Sequence, residues 1–302
     1  MSLSSLEKAR MMRRVALAAV IVAAALTFVK AAAFVFTNSM AMLASLMDSA
    51  LDICASFVNF LAVRHSLVPA DAEHRFGHGK AEPLAGIAQS AFIGGSAMVL
   101  VVGASERLFE PVPVEHGLAG LWVMVVSIVA TVLLVTAQGA VVRRTGSVAI
   151  GADRIHYISD LLTNLGVIVG IVLASRFGIL AADPLVGIAV AGVLAAGSWR
   201  VFRRSLDQLM DREMPEAARE KIKAIVRGHA KVAGLHDLRT REAGVNAFIQ
   251  IHIELDPGLS LFDAHAVGDE VEDALQAAFP NAEIIIHQDP AGVETVTDLA
   301  KT

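Results

Sequence analysis

The sequence predicts an α-helical membrane protein: a six-helix transmembrane domain followed by a small α+β module of order αββαβ. Three observations carry that prediction. The 302 residues are 55% hydrophobic and 18% charged, with a mean hydropathy of +0.60, too apolar for one soluble domain of this length. Charge is unevenly spread, with 16 Lys+Arg and 14 Asp+Glu in residues 1–211 but 9 and 16 in residues 212–302. Finally, stretches near 20 apolar residues recur six times, at about 15–36, 40–63, 81–105, 117–142, 155–176 and 184–206. The expected division is therefore a membrane part, 1–211, an acidic cytosolic module, 212–290, and a frayed tail, 291–302.

The first stretch follows Lys8, Arg10, Arg13 and Arg14 in the manner of a signal peptide. Its apolar run is about twice as long as an h-region and a second span follows at once, so it reads as a retained helix. Six is an even number, which puts both ends on one side. Arg64, Arg75, Lys80, Arg143, Arg144, Arg154, Arg200, Arg203 and Arg204 share the side of that basic N-terminus, and only Arg107 and Arg176 fall on the other. The bias places both termini in the cytoplasm. Lys30 lies inside the first span, near its outer end, and is expected to snorkel to the headgroups.

Beyond Asp211 the periodicity becomes that of a small soluble domain. A helix is expected over Ala218 to Ala230, then strands near Asp237 to Glu242 and Ala247 to Asp256. In the second strand Ile249, Ile251, Ile253 and Leu255 alternate with Gln250, His252 and Glu254, the period of a half-buried strand. A helix from about Ser260 to Phe279 and a strand from Glu283 to Gln288 complete the module, whose helices can cover one face of a three-stranded sheet.

Ionisable residues inside the spans carry the chemistry. Asp48 and Asp52 are four apart on the second span, and His156 and Asp160 are four apart on the fifth, so each pair shares a helix face about 6 Å apart. Three carboxylates at mid-bilayer cost roughly 8 to 10 kcal/mol in insertion free energy before any partner is supplied. Protons, a divalent cation, or both in alternation can neutralise them. One imidazole and three carboxylates suit a tetrahedral Zn2+, with Cd2+, Fe2+, Co2+ or Mn2+ as alternatives. The competing reading is a polar network that only glues helices together.

Two further clusters lie outside the spans. Asp71, His74 and His78 are spaced three and four apart in the loop between spans two and three, enough for three ligands, although a solvated loop explains them equally well on spacing alone. In the module, His252 and Glu254 share one strand face, His287 and Asp289 share another, and His236 precedes the first strand. Paired strands would let His236, His252, His287 and Asp289 converge on metal, with His265 on the following helix. His65, His116 and His229 read as ordinary surface residues. Cys54 is the only cysteine, so neither an internal disulfide nor a thiolate zinc cluster is available.

The segments Asp48-xxx-Asp52 and His156-xxx-Asp160, Phe76-Gly-His78-Gly-Lys80-Ala-Glu82, His236-Asp-Leu-Arg-Thr-Arg241 and Ile285-Ile-His287-Gln-Asp289-Pro, in that arrangement, resemble the cation diffusion facilitator family, in particular its bacterial zinc and iron efflux branch. The resemblance implies a homodimer in the bacterial inner membrane. Each protomer would exchange a divalent metal, Zn2+ first and Cd2+ or Fe2+ as alternates, for protons at Asp48, Asp52, His156 and Asp160. It further implies an accessory site at Asp71, His74 and His78, and a paired-ion site in a ferredoxin-like cytosolic domain at His236, His252, His287 and Asp289 with His265 nearby. Lys80 and Asp211 match the family's interlocking charge pair at the membrane surface. Neither nucleic acid nor nucleotide is implied as a partner.

Energetics agree with exchange. Moving a divalent cation outward against about 100 mV costs roughly 4.6 kcal/mol. No G-x-x-x-x-G-K-[ST] loop is present to bring ATP to that task. The rival classes are a membrane metalloenzyme, which would need a zincin H-E-x-x-H that the chain lacks, and a metal-gated channel or sensor.

Overall fold

The computed structural model describes residues 5–37, 40–109, 118–177 and 182–293. The expected frayed end lies almost wholly outside them. Two compact units are present, one within Leu6–Leu206 and one from Asp207 onward.

The first unit holds six long helices: α1 (Ser5–Thr37), α2 (Met40–Ser66), α3 (Ala81–Phe109), α4 (Leu118–Thr145), α5 (Val148–Phe177) and α6 (Ala182–Leu209). Within the described residues, five of them contain apolar stretches able to cross a bilayer: Leu6–Phe36, Ser45–Ser66, Ala81–Glu106, Trp122–Thr145 and Pro184–Leu209. The sixth, α5, has 30 residues and so spans roughly 45 Å. Helices run past the apolar stretches that announce them. Backbone bonding within a helix needs no lipid, so α1 takes in Lys8 to Arg14 and α5 starts before Asp153.

The start of α5 is specified locally. Gly146 closes α4 at φ 73°, in the left-handed region that glycine enters without strain. Ser147 then accepts the backbone N–H of Ile150 through Oγ at 3.2 Å, the geometry of an N-cap. From there α5 packs against α2, α3 and α4. Tyr157 fixes its rotation: the hydroxyl lies 2.7 Å from Ser56 Oγ on α2 and donates to Ala19 O on α1 at 3.3 Å. On the other side Ile155 and Leu162 pack against Ile93, Ala97 and Leu194. Gly166 faces α6, where an added Cβ would sit 3.2 Å from Val186 Cγ1, so this glycine serves packing inside the helical unit.

The second unit runs α7 (Glu216–Arg227), β1 (Gly234–Ala243), β2 (Asn246–Leu255), α8 (Leu261–Ala278) and β3 (Ala282–Pro290), the αββαβ order that the alternation predicts. The sheet order is β1-β2-β3, with β1 antiparallel and β3 parallel to β2. A parallel neighbour needs a crossover, and α8 supplies it. Ser260 caps α8 by accepting the Asp263 N–H at 3.1 Å. Ile249, Ile251, Ile253 and Leu255 are buried with Ile222 and Val226 of α7 and Val267, Val271 and Leu275 of α8. Both helices therefore cover one sheet face, and the alternate residues of β2 are left on the other.

Candidate metal sites

In the helical unit, α2 and α5 bring Asp52, His156 and Asp160 together, with one ligand atom from each lying within 4.8 Å of the others. His156 Nε2 lies 3.1 Å from Asp52 Oδ1 and 3.9 Å from Asp160 Oδ2. The imidazole is buried and the two carboxylates are half-buried. One nitrogen and two oxygens leave a tetrahedral ion one ligand short. Asp48 is exposed one turn before Asp52 and stands outside the group of three.

Lys30 departs from expectation. Its Nζ donates to Ser49 Oγ at 2.6 Å and to Ser45 O at 3.3 Å, half-buried between α1 and α2 instead of reaching the headgroups. The physical reason is competition: an ammonium inside a span gains more from a buried hydroxyl, a carbonyl and nearby carboxylates than from a long extension outward. A cation therefore does accompany the intramembrane acids. Sequence reasoning also passed over Asp153, which is fully buried and accepts Gln138 Nε2 at 2.7 Å. The signal was present as a carboxylate three residues before His156, but it lies just ahead of the apolar run.

The loop cluster is gathered too. His78 Nε2 is 3.4 Å from Asp71 Oδ2, and His74 Nδ1 is 3.5 Å from Asp71 Oδ1. The backbone N–H groups of His74 and Glu73 donate to Asp71 Oδ1 at 2.6 and 3.0 Å, forming an Asx turn. These bonds, that from His74 first, hold the Asp71 carboxyl below the usual carboxylate range. His65, read as a surface residue, packs its ring against His78 with centroids 4.5 Å apart. Lys80 ends this loop. Asp211, in the other unit, adopts φ 53° and lies 3.4 Å from Arg241.

Strand register builds the third cluster. His236 pairs with His252 across β1 and β2, and His252 pairs with His287 across β2 and β3, so three imidazoles form a row over the sheet. A bulge between His236 and Arg239, with Asp237 at φ 47°, re-registers β1 while leaving His236 in the row. Asp289 anchors the row. Its Oδ2 is 2.8 Å from His252 Nδ1 and 3.4 Å from His236 Nε2, and its Oδ1 is 3.1 Å from His287 Nε2. Glu254 adds an oxygen 3.2 Å from His236 Nδ1. His265 is not brought to the row: it is exposed on α8, beside Asp269 at 3.7 Å, and α8 covers the opposite face.

Three constellations of His and Asp without thiolate, one of them between spans, are chemistry for binding and handing on borderline or hard divalent ions. A family model for the cation efflux transmembrane domain matches residues 16–210, and one for the cation efflux protein cytoplasmic domain matches residues 214–291. The chain belongs to the cation diffusion facilitator family. It is 48% identical over 278 residues to the cation-efflux pump FieF of Shewanella oneidensis, covering 91% of this chain and 94% of that one. To the cation-efflux pump FieF of Salmonella paratyphi A it is 43% identical over 284 residues, with 94% of each chain covered. A crystal structure of the cytosolic domain of a cation diffusion facilitator family protein, 27% identical, covers 25% of this chain and 92% of that one at a TM-score of 0.24. As a cation diffusion facilitator the chain is a membrane transporter that exports metal cations, and not an enzyme.

Proposed function

We propose that the chain is a secondary active exporter that moves a divalent transition metal, Zn2+ first with Cd2+ and Fe2+ as alternates, out of the cytoplasm in exchange for protons. It works as a homodimer in the bacterial inner membrane with both termini cytoplasmic. The observation that carries this reading is the meeting of Asp52, His156 and Asp160 between α2 and α5. Each ligand binds metal in its deprotonated form, so ion and protons compete for the same atoms, and a site that carries metal one way and protons the other couples the two flows. Asp48, one turn before Asp52 on the same face of α2, is the fourth ligand in this reading.

The row of His236, His252 and His287 on Asp289 is the cytosolic metal site in this reading. Metal there draws two acidic domains together and reports a high cytosolic level. Asp71, His74 and His78 form an accessory site in the loop.

Reconstituted vesicles test the reading. Asp52→Ala is expected to abolish uphill Zn2+ flux that depends on a pH difference, and near-normal flux in that variant removes the site from the mechanism. Flux that runs only downhill and ignores the pH difference marks a channel instead.

A further inference from the structure

The feature left unused by this mechanism is the lysine beside the intramembrane acids. Ser45, Asp48, Ser49 and Asp52 follow an i, i+3, i+4, i+7 spacing and form one stripe along α2. Lys30 is seated on that stripe, its ammonium bound to Ser49 Oγ at 2.6 Å and to Ser45 O at 3.3 Å. Thr27, one turn earlier on α1, donates to Ser49 O at 3.0 Å and so holds α1 close at the same level. Ser49 is itself buried, at 2% exposure, and its hydroxyl can point its oxygen at only a few partners. Asp48 precedes Ser49 by one residue and Asp52 follows it by three on the same stripe, so the ammonium held at Ser49 is seated beside both acids of α2.

We infer that Lys30 is a positioning residue that tunes the affinity of the transport site, a resident cation that weakens metal binding enough for the ion to leave. This rests on the assignment of Asp52, His156 and Asp160 as the transport site. The argument is one of charge. Carboxylates and an imidazole gathered around one divalent ion would hold it so tightly that release became the slow step. A positive charge seated at Ser49, three residues before Asp52 on α2, repels the bound ion and lowers affinity for it, whereas in the metal-free state the same charge offsets the acids that would otherwise stand uncompensated in the membrane. The ammonium does not have to ligate or transfer anything. It acts through Asp48, Asp52 and Asp160, and its hydrogen bonds to Ser49 and Ser45 keep it at a constant distance from them.

The decisive variant is Lys30→Gln, which keeps a donor for Ser49 Oγ and Ser45 O but removes the charge. In full-length protein reconstituted into vesicles, Zn2+ flux by Lys30→Gln is expected to show KM lowered about tenfold and a lower kcat, with Zn2+ binding in detergent tightened by a similar factor. Lys30→Arg keeps the charge and is expected to stay close to the parent in KM. A lysine that merely straps α1 to α2 predicts the opposite split: Lys30→Gln harmless, or kcat reduced with KM unchanged or raised. Either result overturns the inference. Should Lys30→Gln not yield folded protein, Lys30→Met with Zn2+ titration in detergent carries the same test, and affinity equal to the parent's overturns the inference. Asp52→Ala runs alongside. If that variant still transports, the site assignment fails; if it is inactive while Lys30→Gln matches the parent, only the role of Lys30 fails.

Discussion

Glu82 on α3 accepts the Ser147 hydroxyl at 2.6 Å through Oε2, and the same oxygen lies 3.4 Å from the Ala149 N–H. A carboxyl group is thereby set at the N-terminus of α5, the helix that carries His156 and Asp160 two to three turns further on. The placement has two physical effects. It satisfies N-terminal groups that would otherwise be unpaired in a buried position, and it turns an electronegative oxygen toward the positive end of the helix dipole. Because Glu82 follows His78 by four residues, the loop with the second cluster and the start of α5 share this one carboxylate.

Replacing Glu82 by alanine strands Ser147 and the first turn of α5 in a dry environment. The expected cost is about 2 kcal/mol in stability of the helical unit, from the loss of a buried hydrogen bond and the groups left unpaired. Thermal unfolding of purified protein in detergent measures it. Ser147→Ala removes the cap from the other side and is expected to cost about 1 kcal/mol. The double variant should lose less than the two single losses combined, since both delete the same bond. Full additivity would mean that the two side chains act separately.

Asp289 is the shared anchor of the histidine row, touching His236, His252 and His287 at once. Asp289→Ala is therefore expected to weaken cytosolic metal binding more than any single histidine variant, by roughly 100-fold, while His287→Ala, at the exposed end of the row, has the smaller effect. Competition titration of full-length protein with a chromogenic chelator reads both. Equal losses from Asp289→Ala and His287→Ala would contradict an anchoring role for the carboxylate.

Local periodicity carries most of the α+β fold. The alternation of Ile249, Ile251, Ile253 and Leu255 announces β2 and its buried face, and β2 runs over Asn246–Leu255 against an expected Ala247 to Asp256. The same alternation places His252 on the open face, where register aligns it with His236 and His287. What periodicity does not carry is tertiary choice. Lys30 has the same local signature whether it reaches for headgroups or for Ser49, and only the packing of α1 on α2 decides between them. Asp153 escaped for a related reason: apolar windows mark where lipid begins, and a helix that continues past its window can bury a carboxylate beyond that edge. His265 shows the converse error, since closeness in sequence to β2 says nothing about which sheet face α8 will cover.

The loop turn at Asp71 gives a pH prediction with a definite sign. Its folded carboxyl titrates below the usual carboxylate range because the His74 N–H, and then the Glu73 N–H, bind the anion. A depressed folded value means that the turn's stabilisation is fully present above the unfolded carboxylate's range and is lost only as pH falls through the lower folded value. With nitrogen-labelled histidine, the amide resonance of His74 should stay constant through the ordinary carboxylate range and move only at more acidic pH. Asp71→Asn should remove that acid transition. A His74 amide that shifts within the ordinary range contradicts the turn.

Asp153 and Gln138 make the last case, where stability and transport are expected to part. Gln138 Nε2 donates to Asp153 Oδ2, yet Asp153 Oδ1 and Gln138 Oε1 are both buried and have no hydrogen-bond partner among the described residues. Two buried acceptors side by side are unfavourable, each costing about 1 to 3 kcal/mol when left unsatisfied. Asp153→Asn exchanges one of those acceptors for a donor. The two amides can then bond reciprocally, Gln138 to the new carbonyl and the new amide to Gln138 Oε1. Asp153→Asn is thus expected to raise the unfolding temperature of the helical unit, by an amount equivalent to about 1 to 2 kcal/mol. Nothing in packing alone keeps an acid at this position, three residues before His156 on the same face of α5. The expected counterpart is slower metal flux in vesicles from the stabilised variant, because an ionisable group near His156 has been removed. A variant that is both more stable and fully active would assign Asp153 no part in transport, and a less stable one would mean that the amide pair does not form.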